Sequence, residues 1–167
     1  WSAGRILLNY FQGPLNVQYK GKAQGDDPVT EADRRAEAYL KEELSRRFPS
    51  HAFVGEEGSG EGSKAEPFTW VVDPLDGTTN FLNRLSSFAC SIALLQEGIP
   101  VVAAVFMPWP NHELGRVFHS HRGGGAWDGE IPLQVASGES PVPGRVVVVP
   151  GLAAGPLRAR AVLRKNP

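Results

Sequence analysis

The stretch Asp73-Pro74-Leu75-Asp76-Gly77-Thr78-Thr79-Asn80-Phe81 constrains this 167-residue chain more than any other. It follows an apolar run, residues 68–72, that reads as a buried strand, and it holds two carboxylates three positions apart where no packing argument asks for them. Pro74 fixes φ and lacks an N–H, so it is expected to turn the chain and let a side chain and a main-chain carbonyl face one point. Asp73, the Leu75 carbonyl and Asp76 would then converge on a hard cation. Gly77, Thr78 and Thr79 carry little bulk and are expected to open a helix whose free N–H groups suit a phosphate. An Asp-Gly pair alone would be an ordinary surface turn. The five fixed positions of Asp-Pro-x-Asp-Gly-Thr, however, arise by accident in a chain this long about once in 20,000 sequences.

Two upstream segments bear on the same chemistry. Ala52-Phe53-Val54 reads as a strand end and leads into Gly55-Glu56-Glu57-Gly58. Earlier, in Asp27-Pro28-Val29-Thr30-Glu31-Ala32-Asp33, Thr30 has the character of an N-cap with Asp33 at N3, a short capping box. A capping Asp needs no catalytic explanation by itself. Taken with the Asp73–Phe81 stretch, these segments resemble the inositol monophosphatase family of metal-dependent phosphatases.

That resemblance implies a layered α-β-α-β sandwich of the α+β class, of which this chain would form the N-terminal portion, helices plus a mainly antiparallel sheet. It implies metal ligation by Glu56, Asp73, the Leu75 carbonyl and Asp76. Thr78 and Asp33 would take the proton from a nucleophilic water; a hydroxyl alone is too weak a base, so the carboxylate partner is needed. The N–H groups of Gly77 and Thr78 would hold phosphate oxygens, and Asp76 would also neighbour the substrate's hydroxyl. If Asp33, Glu56, Asp73 and Asp76 share one cleft, each pair about 5 Å apart repels by roughly 3 kcal/mol at an effective dielectric of about 20. Cations must offset that. The donors are all oxygens, so magnesium, or manganese in its place, is the expected ion.

Charge and composition narrow the partners. With 17 Lys+Arg against 18 Asp+Glu the net charge is −1, so there is no global basic field to attract nucleic acid or acidic lipid. The basic residues 158–165 read as a solvated helix face. No secretory signal and no run of 18 apolar residues is present. A single cysteine, Cys90, excludes an intrachain disulfide and fits a reducing, cytoplasmic setting; its apolar surroundings make it a core thiol, not a nucleophile.

Along the chain, Ile6, Leu7, Leu8, Tyr10 and Phe11 read as the latter half of an amphipathic helix clipped at Trp1, and residues 20–26 as a mobile polar loop. Ala36, Tyr39, Leu40, Leu44 and Phe48 recur at helical spacing between Thr30 and Pro49. Residues 59–64 read as a solvated loop. Strands are expected at 89–95 and 101–107, joined by a longer hairpin loop over 96–100, and at 114–119 and 126–127, with the glycines after Arg122 in a structural role. Asp128-Gly129 is a two-residue hairpin signal before a strand at 131–135, and residues 123–129 resemble a Gly- and aromatic-containing segment of the family. His112, His119 and His121 read as edge residues. A strand at 146–149 and a helix at 157–163 complete the reading, as one domain over 1–167. The family's Trp-Asp-x-Ala segment, which supplies a further metal ligand, is not in this sequence, so the isolated chain is expected to be inactive.

Thr79-Asn80-Phe81 resembles the inositol monophosphatase branch of the superfamily, which implies inositol 1-phosphate, a small phosphorylated polyol, as substrate and a homodimer as the complete form. Fructose 1,6-bisphosphate, histidinol phosphate and 3′-phosphoadenosine nucleotides remain open as alternatives. A reading of another class is a non-catalytic metal- or phosphate-binding protein.

Overall fold

The computed structural model describes residues 1–13, 17–19, 28–56, 66–109 and 112–134. Helix α1 (Ser2–Gln12) is followed by a two-stranded antiparallel ladder of β1 (Val17–Tyr19) and β2 (Pro28–Thr30), then by helix α2 (Glu31–Arg47). The remaining elements are β3 (Ala52–Gly55), β4 (Phe68–Asp76), helix α3 (Thr78–Leu82), β5 (Ala89–Gln96), β6 (Ile99–Trp109), β7 (His112–His121), β8 (Gly125–Asp128) and β9 (Ile131–Leu133). These last seven strands form one sheet in chain order. Its single parallel pair is β3 with β4; every later pair is an antiparallel meander. The expected α+β class and mainly antiparallel sheet are present.

Apolar spacing decides where the helices go. Leu7 of α1 and Ala32 and Ala36 of α2 are fully buried against Leu75, Phe81, Phe88, Cys90 and Phe106. A second cluster, Phe53, Trp70 and Val72, is closed by Leu40 and Leu44 from the far end of α2. Small residues at 32 and 36 let α2 lie close to the sheet, and full burial of a Leu or Phe side chain contributes about 1.5–3 kcal/mol. Thr30 caps α2 as its sequence indicates: its hydroxyl accepts from the N–H groups of Ala32 and Asp33 while Asp33 reaches back to the Thr30 N–H, so the capping box is complete. Cys90 is buried, and burial foremost, then the charge of Asp73, pushes its thiol up to about 12. It is an inert core thiol.

The structure corrects several boundaries. The strand expected to end at residue 72 runs on to Asp76 through Pro74. The hairpin between β5 and β6 turns on two residues, Glu97 (φ 51) and Gly98 (φ 82), rather than on a longer loop, because Gln96 pairs with Ile99. Asp128 is the last residue of β8, so the final turn is Gly129-Glu130, not Asp128-Gly129, and β9 ends at Leu133. Asp128 is instead buried in an ion pair with Arg116. The strand read at 114–119 spans His112–His121, with the Gly-rich turn between it and β8. His119 and His121 are exposed. Among the described residues no helix is long and apolar enough to cross a membrane. The loops read at 20–26 and 59–64, the strand at 146–149 and the helix at 157–163 lie outside the described residues.

Candidate active site

Sheet register brings the first two acidic residues together. β3 and β4 run parallel with Gly55 opposite Val72, so the chain leaves β3 at Glu56 beside Asp73. The two carboxyl groups share a hydrogen bond, and the charge of Asp76 bears on the same point. Burial foremost, then the charge and hydrogen bond of Glu56, then Asp76, push the Asp73 carboxyl up to about 7; the Leu75 N–H, donating to Asp73 Oδ1 at 3.2 Å, acts the other way. Carboxylates this close cannot both ionise at low cost, so Asp73 holds its proton to a higher pH than a free carboxyl does.

Asp76 comes to the same side of β4 as Asp73 because the strand is irregular. Asp73 pairs with Ser91 and Asp76 with Ala89, three steps along β4 against two along β5. In a regular strand residues three apart point to opposite faces. The extra residue is a β-bulge, which restores the two carboxylates toward one side. It also explains a proline in an inner strand: the buried Pro74 sits where the ladder is interrupted and no N–H is called for. Pro74 thus shapes the site by bulging a continuing strand, not by ending it.

The turn after the bulge is clamped from behind. Gly77 has φ 81, and a Cβ there would stand 2.8 Å from the Ser87 carbonyl oxygen and 3.4 Å from the Phe88 Cα. Only glycine fits. Gly77 caps α3, as expected of this stretch, and Asn80 Nδ2 donates to the Ser87 carbonyl at 2.8 Å. Phe81, fully buried, meets Phe88 edge-on at 4.9 Å and Phe11 at 5.5 Å, fixing the short helix to the core. Thr78 Oγ1 donates to the Leu75 carbonyl at 3.0 Å. Arg84 (φ 60) spans to the end of α1, donating to the carbonyls of Tyr10, Phe11 and Gly13.

Asp33 is buried at the opening of α2. Its Oδ2 accepts from the Thr30 N–H at 2.8 Å and from the Thr30 hydroxyl. α2 packs on β4 and β2 packs on α3, which carries the capped end of α2 toward the Gly77 turn. In this conformation Thr78 engages the Leu75 carbonyl and Asp33 engages its own cap. Among the described residues no three His, Cys, Asp or Glu side chains close around a single point. The pair is Glu56 with Asp73, and Asp76 is exposed. Carboxylate and carbonyl oxygens are the donor type that a hard cation takes, and Glu56, Asp73 and the Leu75 carbonyl could contribute to holding one.

One acidic residue of this region is not singled out by the sequence pattern. Glu37 is buried at 2 % exposure, one helical turn after Asp33, and lies over Gly55. A signal exists, since i and i+4 share a helix face and Ala32 and Ala36 mark that face as the inner one. A charged residue beside an apolar stripe, however, ordinarily reads as its solvated border.

Comparison with known proteins agrees with this geometry. The pattern of the Inositol monophosphatase family, a family of metal-dependent phosphatases, matches residues 1–152. Inositol-1-monophosphatase of Rhizobium meliloti is 39% identical over 137 residues, covering 82% of this chain and 50% of that protein. Histidinol-phosphatase of Chlorobaculum parvum is 35% identical over 139 residues, covering 81% and 49%. The crystal structure of extragenic suppressor protein suhB from Bartonella henselae superposes with a TM-score of 0.70 at 35% identity, covering 80% of this chain and 50% of that one. The chain spans about half the length of the curated relatives it matches. With its acidic strand ends, bulged Asp73–Asp76 segment and glycine-capped turn placed on that fold, this chain belongs to the inositol monophosphatase family.

Proposed function

We propose that the complete protein is a magnesium-dependent phosphomonoester hydrolase acting on a small phosphorylated polyol, inositol 1-phosphate foremost. The observation that carries this reading is the pairing of Glu56 and Asp73 at adjacent parallel strand ends, with the Asp73 carboxyl pushed up to about 7 beside Asp76. Such a pair is poised to exchange a proton for a cation. Glu56, Asp73, the Leu75 carbonyl and Asp76 would hold the metal. When bound, magnesium lowers the pKa of a water and offsets phosphate charge.

The chain's own groups supply the rest. Gly77 and Thr78 present main-chain N–H groups at the mouth of the turn, where they would orient phosphate oxygens as the ester P–O bond lengthens. The buried Asp33, held by Thr30, would accept the water's proton by way of the Thr78 hydroxyl, which must first leave the Leu75 carbonyl for that route. Asp76, which is exposed, would meet the substrate's hydroxyl. Homodimerisation follows from the family resemblance, and a buried free Cys90 accords with a reducing cytoplasm.

Both inositol-1-monophosphatases and a histidinol-phosphatase stand among the relatives. Phosphate release from inositol 1-phosphate and histidinol phosphate, measured side by side with magnesium and with a chelator, is therefore the test. The reading expects metal-dependent turnover with inositol phosphate preferred. Turnover unaffected by chelator would refute it, and a preference for histidinol phosphate would overturn the substrate alone.

A further inference from the structure

The region's remaining buried carboxylate, Glu37, belongs to no step of that chemistry. Glu37 and Asp33 project from one face of α2 and are 2 % and 3 % exposed. A buried carboxylate is costly unless it is paired or hydrogen-bonded, so one held this deeply is a fixed part of the packing around it. α2 packs on β3, and the Glu37 side chain ends against the backbone of Gly55. A Cβ at Gly55 would stand 2.5 Å from Glu37 Cδ and 2.9 Å from Oε1, and closer still to Oε2. Glycine at 55 is thus the seat for this carboxylate, and the next residue is Glu56.

We propose that Glu37 is a positioning residue for the cation site: seated on Gly55, it fixes the exit path of β3 and so the placement of Glu56 against Asp73. It touches neither substrate nor the reacting atoms. The inference rests on the metal reading of Glu56 and Asp73. Groups behind metal ligands commonly govern affinity by 10–100-fold. Loss of the seat should therefore weaken magnesium binding while leaving the fold and the substrate KM at saturating metal largely intact.

The test is calorimetric titration of magnesium into the complete protein and its variants, with thermal melts in chelator as a second readout. Glu37→Gln keeps shape and removes charge; Glu37→Asp keeps charge and withdraws from the seat. Glu37→Gln, which still fills the seat, is expected to keep near-wild-type magnesium affinity, and Glu37→Asp to weaken it by about 10-fold or more, each with a melting temperature close to wild type. Gly55→Ala should weaken binding as Glu37→Asp does, by expelling the carboxylate. Adding Glu37→Asp to it, one methylene shorter, should recover affinity relative to Gly55→Ala alone. Should Gly55→Ala fail to fold, the two Glu37 variants still decide. Wild-type affinity in Glu37→Asp, or additive losses in the double variant, would overturn the positioning role while the metal reading stands. No magnesium binding by the wild-type protein would overturn both.

Discussion

Replacing Asp73 by asparagine should make the metal-free protein more stable at pH 8, although it removes a residue proposed to be essential. The Asp73 carboxyl is raised from 3.8 to about 7 on folding, chiefly by burial and by Glu56. Across that window the native chain holds a proton that the unfolded chain has released, so unfolding free energy falls as pH rises from about 4 to about 7 and is level above it. At about 1.4 kcal/mol per pKa unit the full effect would be about 4 kcal/mol. Asp73 is only partly buried, and solvent screening reduces the working figure to about 2 kcal/mol. The uncharged amide of the Asp73→Asn variant escapes this penalty. Magnesium should reverse the order: an ion at 100 times its dissociation constant stabilises the wild type by about 2.7 kcal/mol, and the variant should gain little. Urea unfolding of both proteins at pH 5 and pH 8, in chelator and in magnesium, measures all the terms. A variant less stable than wild type at pH 8 in chelator would refute the electrostatic account, and equal stabilisation of both by magnesium would refute the metal assignment.

Three further outcomes follow from the same geometry. In the complete enzyme, Thr78→Ala or Asp33→Asn should lower kcat about 100-fold or more with magnesium affinity much less affected; near-normal turnover in both, measured by phosphate release, would remove them from the proton route. Gly77→Ala should lose about 1–3 kcal/mol of stability, since φ 81 is strained for alanine and the Ser87 carbonyl blocks the new methyl group, an effect that a denaturation curve reads directly. Cys90 should resist alkylation at pH 8 in the folded protein, because its thiol is buried and pushed up to about 12, and become reactive only on addition of denaturant; rapid labelling under native conditions, followed by mass spectrometry, would contradict the core packing.

How far the sequence reaches differs from element to element. The helix after Thr30 is legible because both of its signals are local: a capping box within four residues and an apolar repeat at helical spacing. The Asp-Pro-x-Asp-Gly-Thr stretch announces acidic chemistry and a glycine-led helix start by residue type alone, and α3 begins where that stretch indicates. The β5–β6 turn is shorter than its sequence suggests because apolar alternation fades toward strand ends, whereas ladder pairing carries on to Gln96 and Ile99.

What the chain determined by itself is therefore the chemistry on offer: oxygen donors, a buried thiol, and small residues where a backbone must come close. Only the tertiary structure decided how those groups meet. Glu56 and Asp73 are 17 residues apart in the chain, and it is the parallel register of β3 on β4 that sets them side by side. Asp73 and Asp76 point toward a common side because of one extra residue counted against β5, a quantity that exists only once two strands are paired. Glu37 has the look of a helix's polar border until α2 settles on β3 and leaves its carboxylate over Gly55. Local pattern reports what one segment prefers; register, bulges and burial are relations between segments, and they take their values only when the sheet and its helices pack.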